Sequence, residues 1–245
     1  MLQQLLTMLP REMGSVALIV AIAGAMLGLG LWLIGARYSR TLVTLLAVAA
    51  GTLLGKHLPG WFDWPLSSTG AAVGGAMVLG AAAFIGHRLF IGAALGLLLA
   101  WWTGIATWAL LSNGQSWSWP IIEPGTATLT GFASALWRVL PPDVTRIVPY
   151  SGGAALLSGM MIAILWPRIA VVVNWSLAGL SLLLGMGLAA IEHGQPHWLT
   201  MLPAQTWAQL STFAGLVLFG AMVQWWLSPM KPAAAGTKPG EQDLE

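Results

Sequence analysis

Seven stretches of the chain are apolar almost without interruption: residues 14–36, 41–58, 68–86, 89–111, 148–166, 169–191 and 204–227. At about 1.5 Å of rise per residue, helices of roughly 20 such residues span a hydrocarbon core of about 30 Å. Gly and Pro within these stretches do not argue against helix, because lipid offers backbone groups no partner and a helix pairs them internally. Short polar breaks that carry arginine separate several of them: Arg37-Tyr38-Ser39-Arg40, His87-Arg88 and Trp166-Pro167-Arg168. A glycine precedes the turn arginine by eight or nine residues each time, at Gly28, Gly80 and Gly159. The pattern predicts an all-α integral membrane protein with seven transmembrane helices, built as three hairpins with basic turns plus a closing helix. In the first hairpin, the runs on either side of Arg37 to Arg40 are expected to fold back on each other.

Outside the spans, Leu2, Leu5, Leu6 and Leu9 make one apolar stripe that Pro10 stops, so residues 1–13 read as an interfacial amphipathic segment. No removable signal peptide is expected there, since a positive n-region and a small-residue cleavage site are both missing. The long connection 112–147 holds a second candidate, an outer interfacial helix over about 125–140 with Leu129, Phe132, Leu136 and Leu140 on one face. Residues 228–245 are rich in Pro, Ala and Gly and polar, the composition of a disordered cytoplasmic tail.

Composition removes the soluble classes. The chain is 57% hydrophobic and only 7% charged, against about 25% charged in soluble domains. Its net charge of +2 is too small to suggest nucleic acid, so the placement of the charges is what informs. Arg37, Arg40, Arg88, Arg168, Lys231 and Lys238 fall on one side of the spans, and Arg11, Lys56, Arg138 and Arg146 on the other. The first group sits in tight turns and the tail, where the positive-inside rule weighs most, which predicts an outside amino terminus and an inside carboxy terminus. Leu-Pro pairs at Pro10, Pro59, Pro141 and Pro203, each expected just before a span entering from the outer side, and Trp61, Trp64, Trp117, Trp119, Trp137 and Trp198 in the outer connections, agree with that orientation. A multi-pass protein of the cell membrane, most simply a bacterial inner membrane, is expected.

Chemistry is sparse. No span carries Asp, Glu, Lys, Arg or His near its middle, which lowers the expectation of a pump or coupled transporter. Cysteine is absent, and with it thiol chemistry. Glu192, His193 and His197 have a metal-like spacing, but Gly194 and Pro196 break the helical face that would give it meaning, so no metal and no cofactor are expected. Ser158-Gly159 invites comparison with an intramembrane serine protease, yet that chemistry needs a base in reach, and His57, His87, His193 and His197 all sit at span ends or in connections. Ser158 reads instead as a small residue at a helix contact. Asn174 and Gln224, the amides well inside spans, are expected to hydrogen-bond to other helices. Arg37, Arg40, Arg88 and Arg168 would make a basic inner rim for anionic lipid headgroups or an acidic partner, if the turns gather; otherwise they only orient the hairpins.

Residues 28–40 (GLGLWLIGARYSR), the pair Gly92 and Gly96, residues 159–179 (GMMIAILWPRIAVVVNWSLAG) and a last helix through 215–224 resemble the transmembrane protein 198 family and its bacterial relatives. The resemblance covers residues 14–227 and implies a heptahelical fold with the orientation above. It also implies a scaffold, as animal members are in receptor signalling, and it transfers no catalytic residue. The expected function is therefore non-enzymatic: a scaffold or subunit packing against other membrane proteins or a second copy, in contact with membrane lipids and not nucleic acid. The alternative is a passive channel or transporter for a small solute.

Overall fold

The structure, a computed structural model, describes residues 15–62, 65–111, 138, 142–194, 197–198 and 205–228. The interfacial segment over 1–13, most of the expected helix over 125–140 and all but the first residue of the 228–245 tail lie outside the described residues. Among the described residues seven α-helices follow in order: α1 (Ser15–Ile34), α2 (Ser39–Phe62), α3 (Ser68–Ile85), α4 (His87–Leu111), α5 (Pro142–Leu165), α6 (Pro167–Gly194) and α7 (Thr206–Leu227), with a 3-10 turn over Gly35–Tyr38 between the first two. Among the described residues, six stretches are long and apolar enough to cross a membrane, the first being Leu18–Gly60, which takes in both α1 and α2. No described residue lies in a strand. The chain is an all-α, multi-pass membrane protein.

Local signals account for the helix ends. Ser67 caps α3, its Oγ accepting the Gly70 N–H at 3.1 Å, one of the donors a helix start leaves free. Pro142 and Pro167 open α5 and α6, where a missing N–H costs nothing and φ is already helical. Two prolines lie where the Leu-Pro pattern does not place them. α2 runs through Pro59 to Phe62, and α5 begins at Pro142 and continues through Pro149. Pro59 therefore does not mark a stop; in the last turn of α2 its missing N–H removes one rung only.

Pairing of the helices differs from the hairpin expectation. The close pairs are α2 with α3, α4 with α5, and α1 with α6, whereas helices joined by the basic turns touch much less. Glycines decide this. A Cβ placed on Gly96 of α4 would sit 2.6 Å from the Leu156 carbonyl oxygen of α5, and one on Gly159 would sit 2.5 Å from Gly96 Cα. On Gly28 of α1 it would meet the Leu183 nitrogen of α6 at 2.5 Å, and on Gly51 of α2 it would run into the Gly75 backbone of α3. With lipid tails as apolar as leucine, such close backbone approach is what favours one pairing over another. Each pair joins a helix entering a basic turn to one leaving a basic turn. The third such unit, α1 with α6, is assembled from opposite ends of the chain and closes the arrangement.

α6 forms the axis. No residue from Ala170 to Ile191 is exposed, as expected of a helix surrounded on all sides. Trp175, Ala170, Val43, Ala47, Ala83, Ile91, Leu95 and Ala163 make one core cluster drawn from α2 to α6. A second, around Trp102, Ala109 and Leu177, ties in α7 through Phe213, whose ring centre lies 4.0 Å from that of Trp102. Outward, large apolar side chains such as Met77, Ile85, Leu218 and Trp226 are exposed, the reverse of a water-soluble fold. Outward hydroxyls are satisfied inside their own helices: Thr44, Thr52, Ser158 and Thr212 donate to the carbonyl four residues back at 2.7–2.8 Å. Ser158 is thus not at the helix contact that its neighbour Gly159 makes.

Replacing Gly96 or Gly51 by valine is expected to destabilise the bundle by about 1–3 kcal/mol or more through overpacking. Valine at Gly30 or Gly185, where a Cβ meets nothing within 4 Å, should be tolerated. Thermal unfolding of the four purified variants measures this, and equal losses at all four positions would show that the seams are not decisive.

Candidate functional site at the basic end

The three arginine-bearing turns and the carboxy end of α7 converge on one end of the bundle, and hydrogen bonds lock them together. Ser39 Oγ lies 3.0 Å from His87 Nε2 and accepts the Trp175 indole N–H at 2.7 Å, joining the first turn to α4 and to α6. A serine hydroxyl has one proton to donate and two lone pairs to accept with, so beside the Trp175 N–H the Ser39 hydroxyl can donate to His87 Nε2 or accept from it, according to the imidazole tautomer. A serine and a histidine at this distance have the spacing of a nucleophile and its base. Ser39, however, is 4% exposed and lines none of the cavities described below. The pair works as a joint between turns. Sequence reasoning sets His87 aside as a span-end residue, and no sequence signal links it to Ser39, 48 positions away.

Gln224 performs the second joining. Its side chain, with no exposed surface, accepts the Ala36 N–H on Oε1 at 3.0 Å. Its Nε2 donates to the Trp32 carbonyl at 2.7 Å and the Leu31 carbonyl at 3.1 Å. Ala36 N–H and Trp32 C=O are the two groups that one further α-helical rung would pair. The amide of α7 is inserted into that rung, so α1 can end and the chain can turn without leaving backbone groups unpaired. Trp32 Nε1 donates to the Leu216 carbonyl and Ser176 Oγ to the Val217 carbonyl, completing the seam of α7 against α1 and α6.

The arginines divide by what they touch. Arg40 donates to the Phe84 carbonyl at 3.2 Å and lies 3.9 Å over the Phe84 ring, covering the end of α3. Arg168 donates to the Trp225 and Ser228 carbonyls and lies 3.7 Å over the Trp225 ring, doing the same for α7. Cations are favoured at helix carboxy ends, where unpaired carbonyls and the helix dipole present negative charge. Arg37 faces outward 5.8 Å over the neighbouring Tyr38 ring. Arg88 is exposed and makes no hydrogen bond to a described residue. Two cavities meet at it. One, of about 290 Å³, is lined by His87, Arg88, Arg168, Pro167, Ala36 and Ser228 among others. The second, of about 440 Å³, is lined by Arg40, Phe84, His87 and Arg88. The fold therefore gathers Arg40, Arg88 and Arg168 around His87 and leaves Arg37 outside both cavities.

Asn174 is 3% exposed, and its Oδ1 has no hydrogen-bond partner among the described residues. It is not joined to another helix as Gln224 is, because it faces an apolar groove between α2, α4 and α6. Glu192 and His193 side chains lie outside the described residues, and no group of three potential metal-ligating side chains occurs within them.

Gln224→Leu removes the inserted amide and leaves the Ala36 N–H and the Trp32 and Leu31 carbonyls to find other partners, at about 1–3 kcal/mol for an unmatched buried group. The variant is expected to lose about 2 kcal/mol or more in reversible unfolding from mixed micelles, whereas Gln205→Leu, at the exposed cap position of the same helix where the side chain makes no capping bond, should lose little. A Gln224→Leu protein as stable as the native one would show that α1 ends without this amide.

No family model matches the chain, and no curated protein and no solved structure is similar to it.

Proposed function

We propose that this chain is a non-catalytic membrane scaffold or subunit of a bacterial inner membrane, one that packs against other membrane proteins through its apolar flanks and holds anionic lipid at its arginine-bearing end. The observation that carries the lipid part is Arg88, a guanidinium without a hydrogen bond to any described residue, placed with Arg168 and His87 around a cavity of about 290 Å³. A guanidinium fork matches a phosphate oxygen pair, and at a membrane surface the ready phosphate is a headgroup. Kinship with the transmembrane protein 198 family is part of the same proposal.

The proposed topology has seven crossings, with the amino terminus outside and the basic end inside. Its support is the course of Leu18–Gly60. Those 43 residues would extend about 65 Å as one helix, twice the hydrocarbon thickness. Gly35, just past the end of α1, and Gly28 of α1 lie against Trp175 and Leu183 in turn, while α2 starts at the Ser39–Trp175 bond and places Ala47 and Ala50 beside Ala178, so both helices leave Trp175 toward the same far end of α6. The filled axis along α6 weighs against a passive pore in the monomer, and the inaccessibility of Ser39 weighs against hydrolysis.

Orientation is tested with single cysteines in this cysteine-free chain. Ser39 is too buried to report, so Tyr38→Cys, at a half-exposed position, stands for the basic end and Leu66→Cys for the other. An impermeant maleimide on intact cells should label only Leu66→Cys, and labelling of Tyr38→Cys would reverse the topology.

For lipid, Arg88→Gln with Arg168→Gln should release anionic lipid retained by the native protein in native mass spectrometry. Arg37→Gln should retain it. Equal retention in all three proteins would leave the arginines with a topological and capping role only.

A further inference from the structure

The groove between α2, α4 and α6 lies apart from the arginine cluster and has a different chemistry. Its volume is about 380 Å³, and Val43, Ala47, Ala94, Leu98 and Ala178 give most of its walls. It opens sideways to the bundle surface past Leu46, which is 62% exposed, and Ala50, also exposed. Of the described lining residues, Asn174 and Trp175 alone carry a polar side-chain atom, and the Trp175 N–H is already donated to Ser39. Asn174 Oδ1 is left as a buried acceptor without a donor among the described residues. Such an atom costs on the order of a few kcal/mol in an apolar surround.

Three occupants fail on these observations. A water molecule needs two to four polar partners, and the side chains here offer it Asn174 alone. An apolar side chain inserted from a partner helix would fill the groove but bring no donor to Asn174 Oδ1. A charged headgroup would meet no counter-charge among the described residues, since none that line the groove is ionisable. What remains is an uncharged molecule of the bilayer with a hydrocarbon body and one O–H. A volume of this size falls within the range of about 300–1,000 Å³ found for small-molecule sites.

We propose that this groove binds a neutral, hydroxyl-bearing lipid, a long-chain alcohol in chemical class, which enters sideways from the bilayer and donates its O–H to Asn174 Oδ1 while its chain lies along Val43, Ala47 and Leu98. Asn174 is six residues beyond Arg168, about 9 Å along the helix from the basic end. That depth suits a hydroxyl lying just below the headgroups with its chain running on toward the bilayer centre.

The test uses the full chain in nanodiscs of phosphatidylcholine and a long-chain alcohol carrying a mid-chain diazirine and a terminal alkyne. After irradiation, peptide mapping should place the label on groove residues of α2, α4 or α6. The unlabelled alcohol should compete at least tenfold better than its O-methyl ether, which keeps the chain and the oxygen but has no proton to donate. Asn174→Leu should cut groove labelling at least tenfold, and so should Ala94→Phe, which keeps Asn174 and fills the groove. The competition runs on the native protein and holds even if a variant misfolds. Equal competition by the ether, native-level labelling of Asn174→Leu, or label found only outside the groove would each overturn the assignment.

Discussion

Close backbone approach is the condition on which this fold depends. A helix bundle in lipid gains nothing from moving leucines out of contact with lipid tails, so dispersion contacts and polar bonds must select the partners. Gly51 against Gly75, Gly96 against Gly159 and Gly28 against Gly179 let three helix pairs come nearer than any side chain would permit. Apolar residues elsewhere on the same helices can then face lipid without loss, as Leu46, Met77, Leu157 and Leu218 do. The pairing leaves α6 at the centre, in contact with α1, α4, α5 and α7 and without an exposed residue from Ala170 to Ile191.

Polar groups are few, and their use follows from the same solvent. Hydroxyls that face outward are bonded to their own helix, and those that face inward join helices: Ser176 to α7, and Ser181, which accepts the Trp102 N–H at 2.7 Å, to α4. Gln224 and the Trp175–Ser39–His87 chain sit where helices must end and reverse, the points at which backbone groups fall out of the helical ladder. Arg40 and Arg168 serve the ends of α3 and α7 in the same way. Against this economy two groups stand out, the Arg88 guanidinium at the basic end and Asn174 Oδ1 in the groove. Both are polar groups for which the described protein supplies no hydrogen bond.

The apolar runs were legible in the sequence because spanning lipid is a requirement on length and composition, which a chain displays directly. The helices follow those runs, with ends displaced by a few residues where Pro59 and Pro149 lie inside helices. The basic turns were legible for a similar reason, and so was the spacing of Gly28, Gly80 and Gly159 before them, though only packing shows that each faces the partner helix of its pair. Partner choice was not. An all-round apolar helix shows no face, and Gly51 carries no mark that points to Gly75 rather than to any other glycine, so the seams between α2 and α3, α4 and α5, and α1 and α6 were decided only by tertiary packing. The two amides make the same point, since both are an amide in an apolar run. Gln224 meets the broken rung at Trp32 and Ala36, and Asn174 meets a groove, because a side chain's hydrogen bonds depend on what the neighbouring helix presents at that depth.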